Sequence, residues 1–497
     1  MNAAGKGSDR VSLAVALGIV SLASIRFWFA LDGVGLIGWD TYPLIELNRA
    51  ASPGDLIAIA TRPLMGPDGA GLYYRPVLSL LFAVDHGLWG LWVPGYHFTT
   101  LLVFAAAALS VHRLALRALG PAANAAALVA LAFFVCHPVH ATVLPVAARR
   151  ADLLSVLFMS AALASQIGWA DERRSRPILA AAFAGLALLS KESAFLLPLL
   201  MWLVAFLSVR ATSTARRAYR ATMSVTPTVI VVAAVLAARW LVLGAIVGDR
   251  PTLQSGLVLA SWQMLGKVLR ASLEWGSAPG TIGVSMIATG LFAVAVASAN
   301  ALARRAVQDR SPTAPMIAAV ALAVVWLAEA AVLFAKGLIL PPWYIVNPVV
   351  PVALLLAAGI QSMYRLNRVP RARIATYVAV ASAVALCATA TVRSPLVRGM
   401  PRWTEASQVQ TRFLDLLERE LVHAPDGTLI ETAKLPMMFP RTPGGPLFGG
   451  LAIMAGYSAQ AWAELKFPKR RIRMAYGRNP DVSVGDDEIV VHLGGRR

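Results

Sequence analysis

The stretch Cys136-HPVHATVLPVAARRADLLS-Val156 and the later LLSKESAFLLPLL at 188–200 place His137, His140, Arg149, Arg150, Asp152, Lys191 and Glu192 at the ends of otherwise apolar runs. Ionisable groups are costly in a bilayer, and those kept there usually serve a site. Arginine grips phosphate through a planar fork of N–H groups, and lysine adds a compact point charge. Cations and carboxylates gathered on one side of a membrane suit a phosphate-bearing lipid.

Each residue also has a plainer reading. Arg149 and Arg150 could be an interfacial pair with heads in water and stems in lipid. Lys191 and Glu192 could pair with each other and stabilise a helix break, or Glu192 could fix Lys191 as it reaches the phosphate. Asp152 follows Arg149 by three residues, so it could orient that arginine or complement a helix dipole. His137 and His140 flank Pro138, but a zinc or manganese site needs further ligands at fitting positions. The reading preferred here gives them hydrogen bonds that order a loop or an acceptor, with no metal or other cofactor required. His97 opens a helix after Pro94-Gly95-Tyr96 and could face the same cavity. Tyr74 and Arg75 precede Pro76, which favours an extended turn. Arg75 then either reaches toward a sugar or phosphate or anchors at the interface. Trp343 and Tyr344, in LPPWYIVNP, line a lipid or sugar groove or belong to an aromatic belt.

The elements that must position these residues are membrane helices. The chain has 497 residues, 58% hydrophobic and 14% charged, with a mean hydropathy of +0.64. That composition fits a polytopic α-helical membrane protein and no soluble class. The net charge of +19 does not indicate nucleic acid, because the arginines lie in short clusters between apolar runs and no aromatic-basic platform accompanies them. Such clusters meet anionic lipid and set topology. Cys136 and Cys387 both fall in apolar segments, which argues against a disulfide framework. The Ala-, Val- and Arg-rich, Lys-poor composition fits a bacterial chain.

Apolar runs occur near 11–31, 97–116, 121–137, 152–169, 178–190, 194–209, 223–247, 281–302, 315–335, 346–363 and 374–392. The first follows Lys6 and Arg10 with no clear A-x-A site, so an uncleaved helix is favoured over a signal peptide. With the N-terminus inside, every inside loop is basic, as the positive-inside rule requires. This predicts about eleven spans in an inner membrane, with the C-terminus outside. The segment 32–96 is then an outside loop whose RPVLSLLFAVDHGLWGLW portion reads as an interfacial helix. The segment 252–275 lies on the membrane or adds a span. Residues 1–393 form the membrane domain. Residues 394–497 form a small extracytoplasmic α/β domain, with a helix at QTRFLDLLERELVHA and strands at GTLIETA, RRIRMAY and EIVVHL.

The ordered set GWDTYPLI at 38–45, YYRPVLSLLFAVDHGLWGLWVPGYHFTTLL at 73–102, HPVH at 137–140, RRAD at 149–152 and SKE at 190–192 resembles the membrane half of GT-C glycosyltransferases. The likeness is to the tetratricopeptide-containing protein O-mannosyltransferases and their bacterial relatives, over roughly residues 11–210. Where that family often has two adjacent acids in the first loop, this chain has Asp40 followed by Thr41. Its G-R-A-D element is here Arg149-Arg150-Ala151-Asp152, and the tetratricopeptide array is missing.

The resemblance implies transfer of a monosaccharide from a polyprenyl-phosphate donor to an acceptor, with inversion, on the outer face of the cytoplasmic membrane. It implies a catalytic base in the first loop. Asp40 is the candidate, with Asp32 and Glu46 nearby; its plainer use is to cap a turn. The donor phosphate is expected at Arg149, Arg150, Lys191 and Arg75. Tyr74, His97, His137, His140, Asp152, Glu192 and Tyr344 are expected to support the site or meet sugar and acceptor. Expected partners are the lipid-linked sugar, membrane lipid and a glycan, lipid or protein acceptor. The rival functions are a flippase of lipid-linked sugars and a non-catalytic scaffold that binds the lipid carrier. A flippase would show paired halves and a polar midplane site, whereas the charges here gather at one face.

Overall fold

A computed structural model describes residues 3–66, 73–120, 123–167, 176–208, 213–245, 257–273, 314–335, 342–366, 395–424, 426, 429–432, 435–439, 451–470, 472–476 and 491–494. Every apolar run that falls on them is a helix. The first is α1 (Ala3–Ala30). The segment after it folds into α2 (Thr41–Leu47), α3 (Pro53–Ala60) and α4 (Pro76–Trp89). Next come α5 (Val93–Leu119), α6 (Asn124–Cys136), the single turn α7 (His140–Val143), α8 (Arg150–Gln166), α9 (Pro177–Ser190), α10 (Leu197–Ser208), α11 (Thr214–Leu243) and α12 (Leu257–Leu273). Helices Ala314–Ala335 and Val346–Leu366 follow. The runs 281–302 and 374–392 and the cation Lys336 lie outside the described residues. Among the described residues, four stretches are long and apolar enough to cross a membrane: Val11–Ala30, Val93–Leu119, Thr214–Leu243 and Pro342–Ser362.

Local chemistry sets the helix ends. Pro76 and Pro177 sit in the first turns of α4 and α9, where a missing N–H removes no helical bond. Ser52 and Asp55 close α3 with a reciprocal capping box, satisfying two orphan amides. Gly90 ends α4 at φ +56°. Within the membrane part, α5 packs on α6 and α8, and α8 packs on α9. The contact face of α9 is small: Ala180, Ala181, Ala184, Gly185 and Ala187. Small residues let helix backbones approach closely in lipid, where no hydrophobic force drives helices together. A methyl group at Gly185 would meet Val231 Cγ1 of α11 at 2.8 Å.

In α12, Met264 and Val268 are buried while Trp262, Lys267 and Arg270 are exposed. Helix α4 is two-faced as well. Leu78, Ser79, Phe82 and Asp85 are buried, and Val84 and Leu88 are open.

The C-terminal part begins with the helix Pro395–His423. The three strand-like stretches of the sequence appear as β1 (Leu429–Thr432), β4 (Arg473–Tyr476) and β5 (Val491–Gly494). Their order is β4-β1-β5, with β1 parallel to β4 and antiparallel to β5. Sequence reasoning missed the short pair β2 (Met438–Phe439) and β3 (Leu451–Ala452), and the helix Gly456–Lys466. It also missed where this part goes. Trp403 Nε1 donates to the Ala141 carbonyl at 2.8 Å, and Gln410 Nε2 donates to the Leu36 carbonyl at 2.8 Å. Ser407 Oγ accepts from the Gly35 amide at 2.6 Å. The C-terminal helix therefore lies across the loop after α1 and the turn after α6.

Candidate active site

Asp40 stands at the N-terminal end of α2, with no hydrogen bond from its side chain to that helix. The capping use offered by the sequence is not the one it has. Its carboxylate is exposed, and Oδ1 accepts a hydrogen bond from the Tyr457 hydroxyl at 2.9 Å. Burial, followed by the charge of Asp40 and this bond, holds the Tyr457 phenol above its ordinary pKa, so it remains a donor. Glu46 is engaged elsewhere, in an ion pair with Arg49 at 2.9 Å.

The loop carrying Asp40 is tightly turned. Gly38 has φ +105°, and a β-carbon there would lie 2.6 Å from Val146 Cγ1. Both the backbone angle and the space require glycine. Gly38→Ala should destabilise the chain by about 1–3 kcal/mol, read as a lowered melting temperature of the detergent-purified protein. A melt equal to that of the parent would show that this turn bears no strain.

Arg149 closes a 3-10 turn, Ala147–Arg149, just before α8. Its guanidinium lies 3.8 Å from the Trp343 ring centroid and 5.8 Å from that of Trp403. One N–H donates to the Thr142 carbonyl. Burial pulls this arginine down to about 10, while the charges of Asp152, Asp40 and Tyr344 push the other way. It is still a cation at neutral pH, half-buried, and Asp40 is close enough to act on it.

Arg150 is a correction. It was expected on the donor phosphate, yet it is 0% exposed. Its Nε donates to Thr100 Oγ1 at 2.8 Å and its Nη2 to the Tyr96 carbonyl at 3.0 Å, while Nη1 pairs with Asp85. Arg150 therefore ties α8 to α4 and α5. Adjacent residues at a helix start point in different directions, so Arg149 faces the loop and Arg150 the core.

Lys191 and Glu192 do not pair with each other, and this too departs from expectation. Lys191 is extended, at φ −162° and ψ 144°, and Glu192 opens a 3-10 turn. The break sends the two side chains apart. Lys191 pairs with Asp152 and lies 3.9 Å from the Tyr344 ring centroid. Asp152 is thus the partner of Lys191, not the orienter of Arg149. Glu192 binds Arg75 at 2.6 Å and Arg239 of α11 at 3.3 Å. Arg75 also lies over the Tyr73 ring, 4.7 Å from its centroid. Arg239 was missed in the sequence, though an arginine near the end of an apolar run is itself a signal. Asp85 was missed as well.

The remaining candidates hold backbone together. Tyr74 is buried and donates to the Ala60 carbonyl at 3.0 Å. His97 Nε2 donates to the Val34 carbonyl at 2.8 Å, tying α5 to the loop after α1. His137 uses both ring nitrogens, giving to the Ser272 carbonyl at 3.1 Å and taking from the Val139 amide at 3.2 Å. His140 donates to the Phe134 carbonyl at 2.7 Å between the rings of Phe104 and Phe134. Burial lowers His140 to about 4, so its ring is neutral. Among the described residues no group of three His, Cys, Asp or Glu converges as metal ligands would.

No protein-family model matches the chain, and no curated protein sequence does. The solved structure described as "Crystal Structure of ArnT from Cupriavidus metallidurans bound to Undecaprenyl phosphate" does match. It aligns with TM-score 0.52 at 15% identity, over 94% of this chain and 90% of that one. The chain shares the overall fold of that protein. With its long apolar helices it is a multi-pass membrane protein. At that identity the shared property is the fold, and the site rests on the geometry above. The archaeal oligosaccharyltransferase AglB from Archaeoglobus fulgidus, in complex with an inhibitory peptide and a dolichol-phosphate, aligns with TM-score 0.42 at 14% identity, over 83% of this chain and 58% of that one. Within this fold, the loop between α1 and α5, the turn before α8, the break after α9 and the stretch around Trp343 meet at the charged cluster.

Proposed function

We propose that this chain is a glycosyltransferase that moves a monosaccharide from a polyprenyl-phosphate donor to an acceptor hydroxyl on the outer face of a cytoplasmic membrane, with inversion at the anomeric carbon. One observation carries the reading. An exposed carboxylate, Asp40, stands near a half-buried arginine, Arg149, in a fold shared with a protein solved with undecaprenyl phosphate. The acceptor O–H gives its proton to Asp40 as its oxygen bonds the anomeric carbon. The bond from that carbon to the phosphate oxygen breaks, and its electron pair leaves as polyprenyl phosphate. Arg149, with Lys191 and Arg75 beside it, meets the charge that develops there.

Ion pairing gives these cations different tasks. Arg75 is held by Glu192, and Lys191 by Asp152 under Tyr344. Among the described residues, the Arg149 guanidinium hydrogen-bonds to the Thr142 carbonyl alone, so it has N–H groups to offer a phosphate. No cofactor enters the scheme. The acceptor is a glycan, lipid or protein hydroxyl.

The test is transfer in detergent from radiolabelled polyprenyl-phosphate sugars into a membrane extract. Label should move from one donor and from no other. Arg149→Ala should weaken donor affinity about 10- to 100-fold, the value of a charge-assisted hydrogen bond or two. Donor binding with no transfer from any sugar would instead favour the flippase or the scaffold.

A further inference from the structure

Three consecutive residues around the candidate base are each held by the C-terminal part of the chain. The Gly38 amide donates to the Ile453 carbonyl at 2.9 Å. Trp39 is held twice: its Nε1 donates to the Met437 carbonyl at 2.9 Å, and its carbonyl accepts from Ser458 Oγ. Asp40 Oδ1 accepts from Tyr457 at 2.9 Å. Tyr457 and Ser458 are neighbours in the first turn of the helix Gly456–Lys466, and Ser458 Oγ also accepts from the Ala455 amide at 3.1 Å. That turn is fixed on Trp39, and it presents the Tyr457 phenol to the carboxylate.

From this arrangement we infer that Tyr457 is a positioning residue for Asp40. The inference rests on the assignment of Asp40 as base. The phenol fixes one carboxylate oxygen. Oδ2, which takes no hydrogen bond among the described residues, is left to face the acceptor. A carboxylate on an exposed loop rotates about its side-chain bonds, and a base that rotates spends little time aligned with the proton it must take. A single hydrogen bond from a side chain that is itself held removes that freedom. The C-terminal part is then one wall of the active site, and the acceptor enters between Tyr457 and the membrane half.

Tyr457→Phe removes the bond and keeps the ring. It should lower kcat about tenfold, the value of a hydrogen bond to a charged group. Acceptor KM and donor affinity should stay within about twofold, because neither substrate is held by that bond. The measurement is transfer from whichever polyprenyl-phosphate donor proves active into the same membrane extract, with donor binding and the melting temperature read in parallel. Three results overturn the inference. One is an unchanged kcat. Another is a raised kcat or a lowered acceptor KM, which would make the phenol a cover standing in the acceptor's place. The third is a joint loss of kcat, donor affinity and melting temperature, which would make Tyr457 a structural tie. Asp40→Asn separates this failure from that of the base. If Asp40→Asn is impaired and Tyr457→Phe is not, the positioning role alone is lost. If Asp40→Asn transfers normally, the base assignment itself falls.

Discussion

Asp40→Asn should lower transfer by about 10²- to 10⁴-fold, the usual contribution of a positioned general base. The substitution is nearly isosteric. The asparagine Oδ1 can still accept from the Tyr457 hydroxyl, so the loop keeps its tie to the C-terminal part. What it loses is the ability to take a proton. The loss should therefore fall on kcat, with the donor bound about as tightly as in the parent, because Arg149, Lys191 and Arg75 are unchanged. The nearby charge of Asp40 acts on Arg149, and removing it leaves that cation slightly freer for phosphate. Donor affinity that is equal or modestly higher, with transfer nearly abolished, is the expected pair of results. The measurement is single-turnover transfer with donor binding in parallel. A variant that transfers within tenfold of the parent would remove Asp40 from the chemistry and return attention to Asp32.

The sequence exposed the elements more readily than their pairings. The apolar runs at 97–116, 152–169 and 178–190 became α5, α8 and α9, because length and hydropathy are local properties. The strands were legible from alternation and β-branched residues, and β1, β4 and β5 pair in one sheet. Charge partners were not legible. Glu192 and Lys191 are adjacent in sequence, yet their bonds run to Arg75, Arg239 and Asp152 on other elements. A helix break changes side-chain direction between one residue and the next, and spacing cannot show which way. Two adjacent arginines likewise divided, one toward the loop and one into the core. The C-terminal clamp had no sequence signal at all. Most of its bonds end on backbone groups, such as the Trp39 and Leu36 carbonyls and the Gly35 amide, and every residue type except proline offers both of those.

The division of the arginines has a consequence for stability that is as large as the one for catalysis. Asp85→Ala should destabilise the fold by about 3–5 kcal/mol, because it leaves Arg150 as an uncompensated buried charge. The two side chains are 1% and 0% exposed, with no route to water without opening the packing of α4, α5 and α8. The neighbours of the pair have other partners. Thr99 Oγ1, which donates to Asp85 at 2.7 Å, also reaches the Gly95 carbonyl at 3.2 Å. The Tyr96 carbonyl would still accept from Thr100 Oγ1 at 2.8 Å. Replacing both charges with apolar groups, Asp85→Leu with Arg150→Met, therefore strands no charge and should cost much less than the single change. It could even stabilise by about 1–4 kcal/mol, as removal of a buried pair sometimes does. Unfolding of the detergent-solubilised protein across the cycle of Asp85→Leu, Arg150→Met and the double variant gives the coupling. A single-variant loss below about 1 kcal/mol would mean that Arg150 finds water or another anion. That outcome would restore it as a candidate for the donor phosphate, whereas a strong coupling assigns it to the scaffold and leaves Arg149 as the arginine of the pair proposed to meet the lipid-linked substrate.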